Sequence, residues 1–325
     1  MNQVVRQINR FKYLIKDPKD FFITFRIYIL SHTRNYKKLL DALYYLNFHK
    51  KINWDGPEDL NQWINFLVIN SDITKWGILA DKYEVKNFLR KQGLEEILIP
   101  MLANWATPED ISFENLPDEF VLKLNNGSGD AIFIKDKNKA DLPAIKSYFK
   151  ECMHAKYGKM KGELHYLLIP PMIIAEETLN ADRQAIPSSS LIDYKFWCFN
   201  GRVVSCMVCA NRKKGEFQIA LYSVTDEWRD ISSGNLVYSD CKKPIKIAIP
   251  KPKSLGKMVE VASMLSKGYP QMRVDLYEVN DKPYFGEITM TSFGGRIKCF
   301  SQSYLKELGN CVKEAYSELN GCAGK

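Results

Sequence analysis

The chain has 325 residues, 46% apolar and 26% charged, with 46 Lys/Arg against 38 Asp/Glu. Those are the proportions of an ordinary soluble globular protein, and the length allows one large domain or two to three small ones. They exclude a helical membrane span, since no run approaches the roughly 18 apolar residues needed, and a disulfide-stapled scaffold, since the cysteines form no compact framework.

Residues 1–51 read as a helical arm with 11 Lys/Arg against 3 Asp, a net +8 that equals the excess of the whole chain. The remainder is neutral. The arm also carries Phe11, Tyr13, Leu14, Ile15 and an aromatic run to Tyr28. Basic and apolar residues together suit an anionic membrane surface or an anionic polymer; a helix with a solvated basic face is the plainer reading. The neutral remainder argues against nucleic acid as a partner. The thiols are read as reduced and the compartment as cytoplasmic, with peripheral contact at the inner membrane face. Cys206 and Cys209 have CxxC spacing but fall in a strand-like run, where residues three apart face opposite sides.

Along the chain, residues 36–48 form a helix with Leu39, Leu40, Leu43 and Leu46 at helical spacing. Asp72 or Thr74 caps a helix that runs from 75 to 92 and ends at Gly93. Residues 97–100 read as a short strand. Strands at 120–123 and 131–134 flank the small-residue loop 125–130, giving a hairpin with a glycine-rich tip. A helix at 140–156 follows, then a buried strand at 172–175 that runs into Glu176 and Glu177. Strands at 193–199 and 202–210 flank Asn200-Gly201, a two-residue hairpin signal. Residues 211–250 are loop-rich with short strands, 253–267 are helical, and 302–319 form a closing helix. The segments divide as a basic helical region (1–72), an N-terminal α/β subdomain (73–115), a first lobe with the glycine hairpin (116–178) and a second lobe (179–325).

The stretch MRVDLYEVNDKPYFGEITMTSFGG at 272–295 reads as two strands about the turn residues Asn280, Asp281 and Lys282. A three-residue loop closing Val279 on Pro283 places Asp275 opposite Glu287, and Arg273 opposite Thr289, provided that no bulge interrupts the ladder. Directly opposed side chains share a face, with Cβ atoms roughly 4.5–5.5 Å apart. Two carboxylates that close need something positive between them. A hard divalent cation shared with nucleotide phosphates fits; a surface hairpin, or a carboxylate paired with Arg273, fits as well.

The P-loop, Rossmann, H-E-x-x-H and G-x-S-x-G signatures are all missing, and so is the D-x-D of many nucleotide-sugar glycosyltransferases. What remains is a set of weaker signals. Gly127, Ser128 and Gly129 let backbone N–H groups approach phosphate oxygens, with Lys123 just upstream. Glu176 and Glu177 end an apolar strand, where carboxylates accept from adenine amino or ribose hydroxyl groups. Asp193 and Lys195 share a strand face, and a lysine on an apolar strand needs a counter-charge.

The order of these signals resembles that of ATP-grasp enzymes, and more closely the TupA-like ATP-grasp branch found among surface-polysaccharide and teichuronopeptide synthesis proteins. The resemblance covers about residues 73–310. It rests on KWGILADKYEVKNFL (75–89), LPDEFVLKLNNGSG (116–129), IIAEETL (173–179), DYKFWCFNGRV (193–203), ANR (210–212) and MRVDLYEVNDKPYFGEIT (272–289). It implies an α+β ATP-grasp fold, two lobes clamping ATP, with an N-terminal helical arm. It assigns ATP phosphates to Lys123 and Lys195, and the loop closing over them to Gly127, Ser128 and Gly129. Glu176, Glu177 and Leu179 would line the adenine pocket, with Asp193 at the ribose. Asp275, Glu287 and Thr289 would hold Mg²⁺; Thr289 stands where the superfamily usually has Asn. Arg212 and Arg273 would stabilise the transferred phosphate or the acyl-phosphate oxyanion. The implied activity is carboxylate–amine ligation through an acyl phosphate. It would join an amino acid or small amine to a uronic acid in a sugar or lipid-linked glycan precursor of capsule or O-antigen. A glycosyltransferase and a non-catalytic nucleotide-binding protein are the alternatives.

Overall fold

The computed structural model describes residues 18–155, 157–213, 215–224 and 228–321. The expectations for Phe11 to Ile15 and the first part of the basic arm lie outside the described residues. Helix α1 (Pro18–Ser31) is followed by α2 (Tyr36–Phe48), and Ile27 of α1 packs with Leu39, Ala42 and Leu43 of α2. Asn35 caps α2 by accepting from Lys38 N at 3.2 Å. Helix α3 (Leu60–Asn70), capped by Asp59, packs on the last helix, α8 (Gln302–Gly321). Gly309 allows that approach, for a Cβ there would lie 2.7 Å from Asp59 Cα.

The single helix expected at 75–92 is two: α4 (Ile73–Ala80) and α5 (Glu84–Lys91). Asp81 breaks it. Its carboxylate accepts from Tyr83 N at 2.8 Å and Glu84 N at 3.3 Å, so it competes with the helix it ends and fixes the turn into the next. Asp72 caps α4, as read from the sequence. The strand expected at 97–100 is instead the end of a short 3₁₀ turn, Glu95–Ile97, and an irregular link, and the strand begins at Met101.

Two sheets follow. The first contains β1 (Met101–Trp105), β2 (Phe120–Leu124), β3 (Ile132–Ile134) and β4 (Ile173–Glu176), antiparallel in the order β1-β4-β2-β3. Helix α6 (Leu142–His154) covers it, with Ile145 and Phe149 against Phe120 and Leu122. The second sheet contains β5 (Asp193–Phe199), β6 (Arg202–Lys213), β7 (Glu216–Ser223), β8 (Lys242–Pro244), β9 (Met272–Val279) and β10 (Lys282–Thr289). Its order is β10-β9-β5-β6-β7-β8, antiparallel except for the parallel β7–β8 pair. β7, with eight residues, is a fuller strand than the loop-rich reading of 211–250 expected. Helix α7 (Leu255–Ser266) packs on β5, β6 and β9. Every residue of β5 is buried, as a central strand covered on both faces requires. The α/β texture, the glycine hairpin and the Asn200-Gly201 turn (φ 47° and 84°) match the sequence reading. Cys206 and Cys209 are buried in β6 with their thiols free.

Candidate active site

The β9–β10 hairpin reaches its expected register by an unexpected route. The turn has two residues, Asn280 and Asp281, both with positive φ (53° and 63°), and Val279 pairs with Lys282 rather than Pro283. The missing loop residue reappears as a bulge between Phe285 and Glu287, at Gly286. Beyond the bulge Asp275 faces Glu287 and Arg273 faces Thr289. A bulge therefore restores the register that it was expected to spoil. Gly286 is needed there for space: a Cβ would meet the Asp275 carbonyl oxygen at 2.9 Å.

The positive group between the carboxylates is the Arg273 guanidinium. It donates to Asp275 at 2.7 and 2.8 Å, to Glu287 Oε1 at 3.3 Å, to Thr289 at 2.9 Å and to Ser292 at 3.4 Å. Lys195 Nζ sits 2.5 Å from Asp275 Oδ2 and 3.4 Å from Asp193 Oδ1, and Arg212 lies 2.6 Å from Asp193 Oδ2. Burial pushes the Asp275 carboxyl up, but Arg273 and Lys195 outweigh it and hold it well below the carboxylate range. Burial pushes the Lys195 ammonium down, and Asp193 and Asp275 more than reverse this.

The first sheet contributes a second cluster. Glu176, at the end of β4, is buried between Lys86 (3.0 Å) and Lys123 (2.5 Å). Both of its oxygens are thus occupied by lysines rather than turned toward an adenine edge. Glu177, Thr178 and Leu179 leave the strand as an irregular segment, with Glu177 N bonded to Pro100 O at 3.1 Å. The glycine loop has a fixed stem and an open tip. Asn125 bonds Asp81, Pro170 and Met172, Asp130 accepts from Leu124 N at 2.9 Å, and Lys82 donates to Gly127 O. Ser128 and Gly129 are exposed, Gly129 with φ 81°.

Lys82 and Tyr157 lie between the two clusters. Lys82 feels Glu287 of the second sheet together with Lys123, Asp130 and Glu176 of the first. Tyr157 hydrogen-bonds Ser128 at the loop tip and also feels Glu163 and Glu287. The sequence reading missed Lys82, Lys86, Tyr157 and Glu163. Lys86 did leave a signal: it lies on the buried face of α5 with Val85 and Leu89, and a lysine there requires a partner.

A model of the TupA-like ATPgrasp family matches residues 62–313, most of the chain. This chain belongs to the TupA-like ATP-grasp family. The family accounts for the two-lobed α+β fold read from the sequence and makes the protein an ATP-grasp ligase by class. No curated protein matches the chain. Among solved structures it is similar to the D-alanine–D-alanine ligase of Bacillus anthracis complexed with ATP, at 14% identity and a TM-score of 0.45, over 78% of this chain and 71% of that one. It is also similar to the ATP-grasp ligase PsnB complexed with a minimal precursor, at 11% identity and a TM-score of 0.42, over 78% and 68% of the two chains.

The residues present suit Mg²⁺ only in company with a nucleotide. Among the described residues no group of three His, Cys, Asp or Glu is placed to hold a metal. Glu287 is about one-third exposed and Asp275 is engaged on both oxygens. Nucleotide-bound Mg²⁺ ions in general take one or two protein carboxylates, with phosphate and water oxygens completing the shell.

Proposed function

We propose that this TupA-like protein is an ATP-dependent carboxylate–amine ligase that works through an acyl phosphate, and that the acid is a uronic acid of a surface-polysaccharide precursor. The observation that carries the ligase chemistry is the approach of the two charged clusters across Lys82, and the space between them is read as the nucleotide cleft. Lys82 and Lys123 lie near the stem of the Gly127-Ser128-Gly129 loop, whose Ser128 and Gly129 are exposed, and Lys195 and Arg273 gather about Asp275. Four cations and a backbone cradle suit a triphosphate.

The cleft offers no evident covalent nucleophile. Burial pushes the thiol of Cys209 up to about 12, so it is not a thiolate at neutral pH. Burial likewise pushes the His165 imidazole down to about 3. The work left to the protein is positioning and charge neutralisation. Lys123, Lys195 and the loop tip hold the phosphates, and Arg273 faces the transferred group. A substrate carboxylate oxygen attacks the γ-phosphorus and ADP leaves. The amine then attacks the acyl carbon, the C–N bond forms, and inorganic phosphate departs with the electrons of the broken C–O bond. Asp275, Glu287 and Thr289 would hold Mg²⁺, which when bound neutralises phosphate charge. Glu177 and Leu179, on the segment joining the sheets, would take the adenine. Asp193 is the ribose candidate, although Arg212 and Lys195 now hold it.

The test supplies ATP, Mg²⁺ and glucuronate or galacturonate, with hydroxylamine in place of the amine. The expected products are ADP and a hydroxamate. A sugar kinase releases ADP without hydroxamate, and a glycosyltransferase leaves ATP intact. AMP and pyrophosphate with no ADP would overturn the acyl-phosphate route.

A further inference from the structure

Helix α1 is apolar on two sides. Its inner side packs Ile27 into α2. Its outer side presents Phe22, Phe25, Tyr28 and Ile29 to solvent, exposed by 70%, 57%, 55% and 49%. Residues three and four apart on a helix are neighbours, so Phe22, Phe25 and Ile29 form one stripe, with Tyr28 at one edge and Arg26 at the other. Four large apolar side chains exposed together on one short helix mark a docking surface rather than the scattered apolar exposure of any protein.

The charge around this stripe selects the occupant. No Asp or Glu occurs between Asp20 and Asp41, whereas Arg26, Arg34, Lys37 and Lys38 do, and all four are exposed. A second copy docked stripe to stripe would bring these cations against one another. An acidic lipid surface meets both demands at once: its headgroups take the cations and its acyl boundary takes the aromatic rings. A cleft of about 730 Å³ at the α1–α2 connection repeats this chemistry, with Arg34 and Lys37 beside Val68, Ile69, Ile73 and Leu164.

We infer that the outer face of α1 lies flat in the interface of an anionic bilayer, inserting Phe25 and Ile29, with Arg26, Arg34, Lys37 and Lys38 on the headgroups. No helix of the described residues is long and apolar enough to cross a membrane, so this contact is peripheral. The inference stands apart from the ligase reading, because none of its residues belongs to the nucleotide cleft.

The experiment is co-sedimentation of the full chain with vesicles of phosphatidylcholine alone, or of phosphatidylcholine with phosphatidylglycerol. Wild type is expected to pellet with the anionic vesicles only, and less as salt is raised, because exposed charges are screened within about 8–10 Å at physiological ionic strength. The double variant F25S/I29S should bind at least about tenfold more weakly while its melting temperature stays unchanged, since both side chains are exposed. The double variant K37E/K38E should lose the salt-sensitive part of the binding. No pelleting of wild type at low salt, or equal pelleting of F25S/I29S, overturns the inference. So does a wild-type dimer in solution that F25S/I29S dissolves while vesicle binding is absent; that result assigns the face to a second copy.

Discussion

Asp275 and Glu287 face each other, yet the structure loads them differently, and that difference sets how much each contributes to stability. Asp275 is 1% exposed and held by Arg273 and Lys195. Its carboxyl is depressed in the fold, so it contributes stability above the unfolded carboxylate value of about 3.9, and this is lost as pH falls through the folded value. Asp275→Asn leaves two buried cations without their counter-charge and should cost about 3–5 kcal/mol at pH 7. The difference from wild type should shrink below about pH 4. Urea melts at pH 7 and pH 3 check this; a constant difference would mean that the charge is not what matters. Glu287 is about one-third exposed and touches Arg273 at only 3.3 Å. Half-open pairs contribute little to stability, so Glu287→Gln should melt like wild type and lose about 10²-fold in Mg²⁺-dependent ADP release. Wild-type turnover in that variant would remove Glu287 from the metal set.

The β9–β10 hairpin shows how an element tolerates an error in its description. The sequence places one residue too many in the turn, and the protein places that residue in a bulge at Gly286. Both give the same partners at the open end, because only the count of residues between Asp275 and Glu287 matters there. Loop length and bulge are distinguished by tertiary sterics. The turn tightens because Asn280 and Asp281 adopt left-handed backbone, which these residue types tolerate, and Gly286 then crosses close under Asp275. Gly286→Val should cost about 1–3 kcal/mol by overpacking, whereas deleting Gly286 should remove only the bulge and keep Glu287 opposite Asp275. A Gly286→Val protein that melts at the wild-type temperature would show that the crossing is not tight.

Across the whole molecule, one core joins the helical region to the second sheet, and a separate core lies between the first sheet and α6. The proposed cleft lies between parts with separate cores, and separately packed lobes can close on a ligand. A nucleotide that touches both should stabilise the whole chain, by about 2.7 kcal/mol at a hundred times its dissociation constant. Lys123→Ala, on the first sheet, and Lys195→Ala, on the second, should each cut the rise in melting temperature caused by ATP and Mg²⁺ to less than half. A full rise in both variants would place the nucleotide elsewhere.

The sequence by itself determined what could be read from local chemistry. Strand-forming residues and turn signals marked most of the strands, Asn200-Gly201 marked a turn, and the spacing of Arg273, Asp275, Glu287 and Thr289 marked a shared face, because a strand has period two. The order of the motifs pointed to the family. Only the tertiary structure decided the partners. Lys86 and Glu176 are 90 residues apart, and nothing local specifies that they meet at 3.0 Å. Asp81 could not be read as a helix breaker, since its competing partners include the Asn125 amide of the glycine loop. Arg273 could be seen beside two carboxylates, but whether it or a metal ion lies between them depends on burial. Removing Asp275 from water makes its nearest fixed cations decisive, and burial is a property of the packed whole.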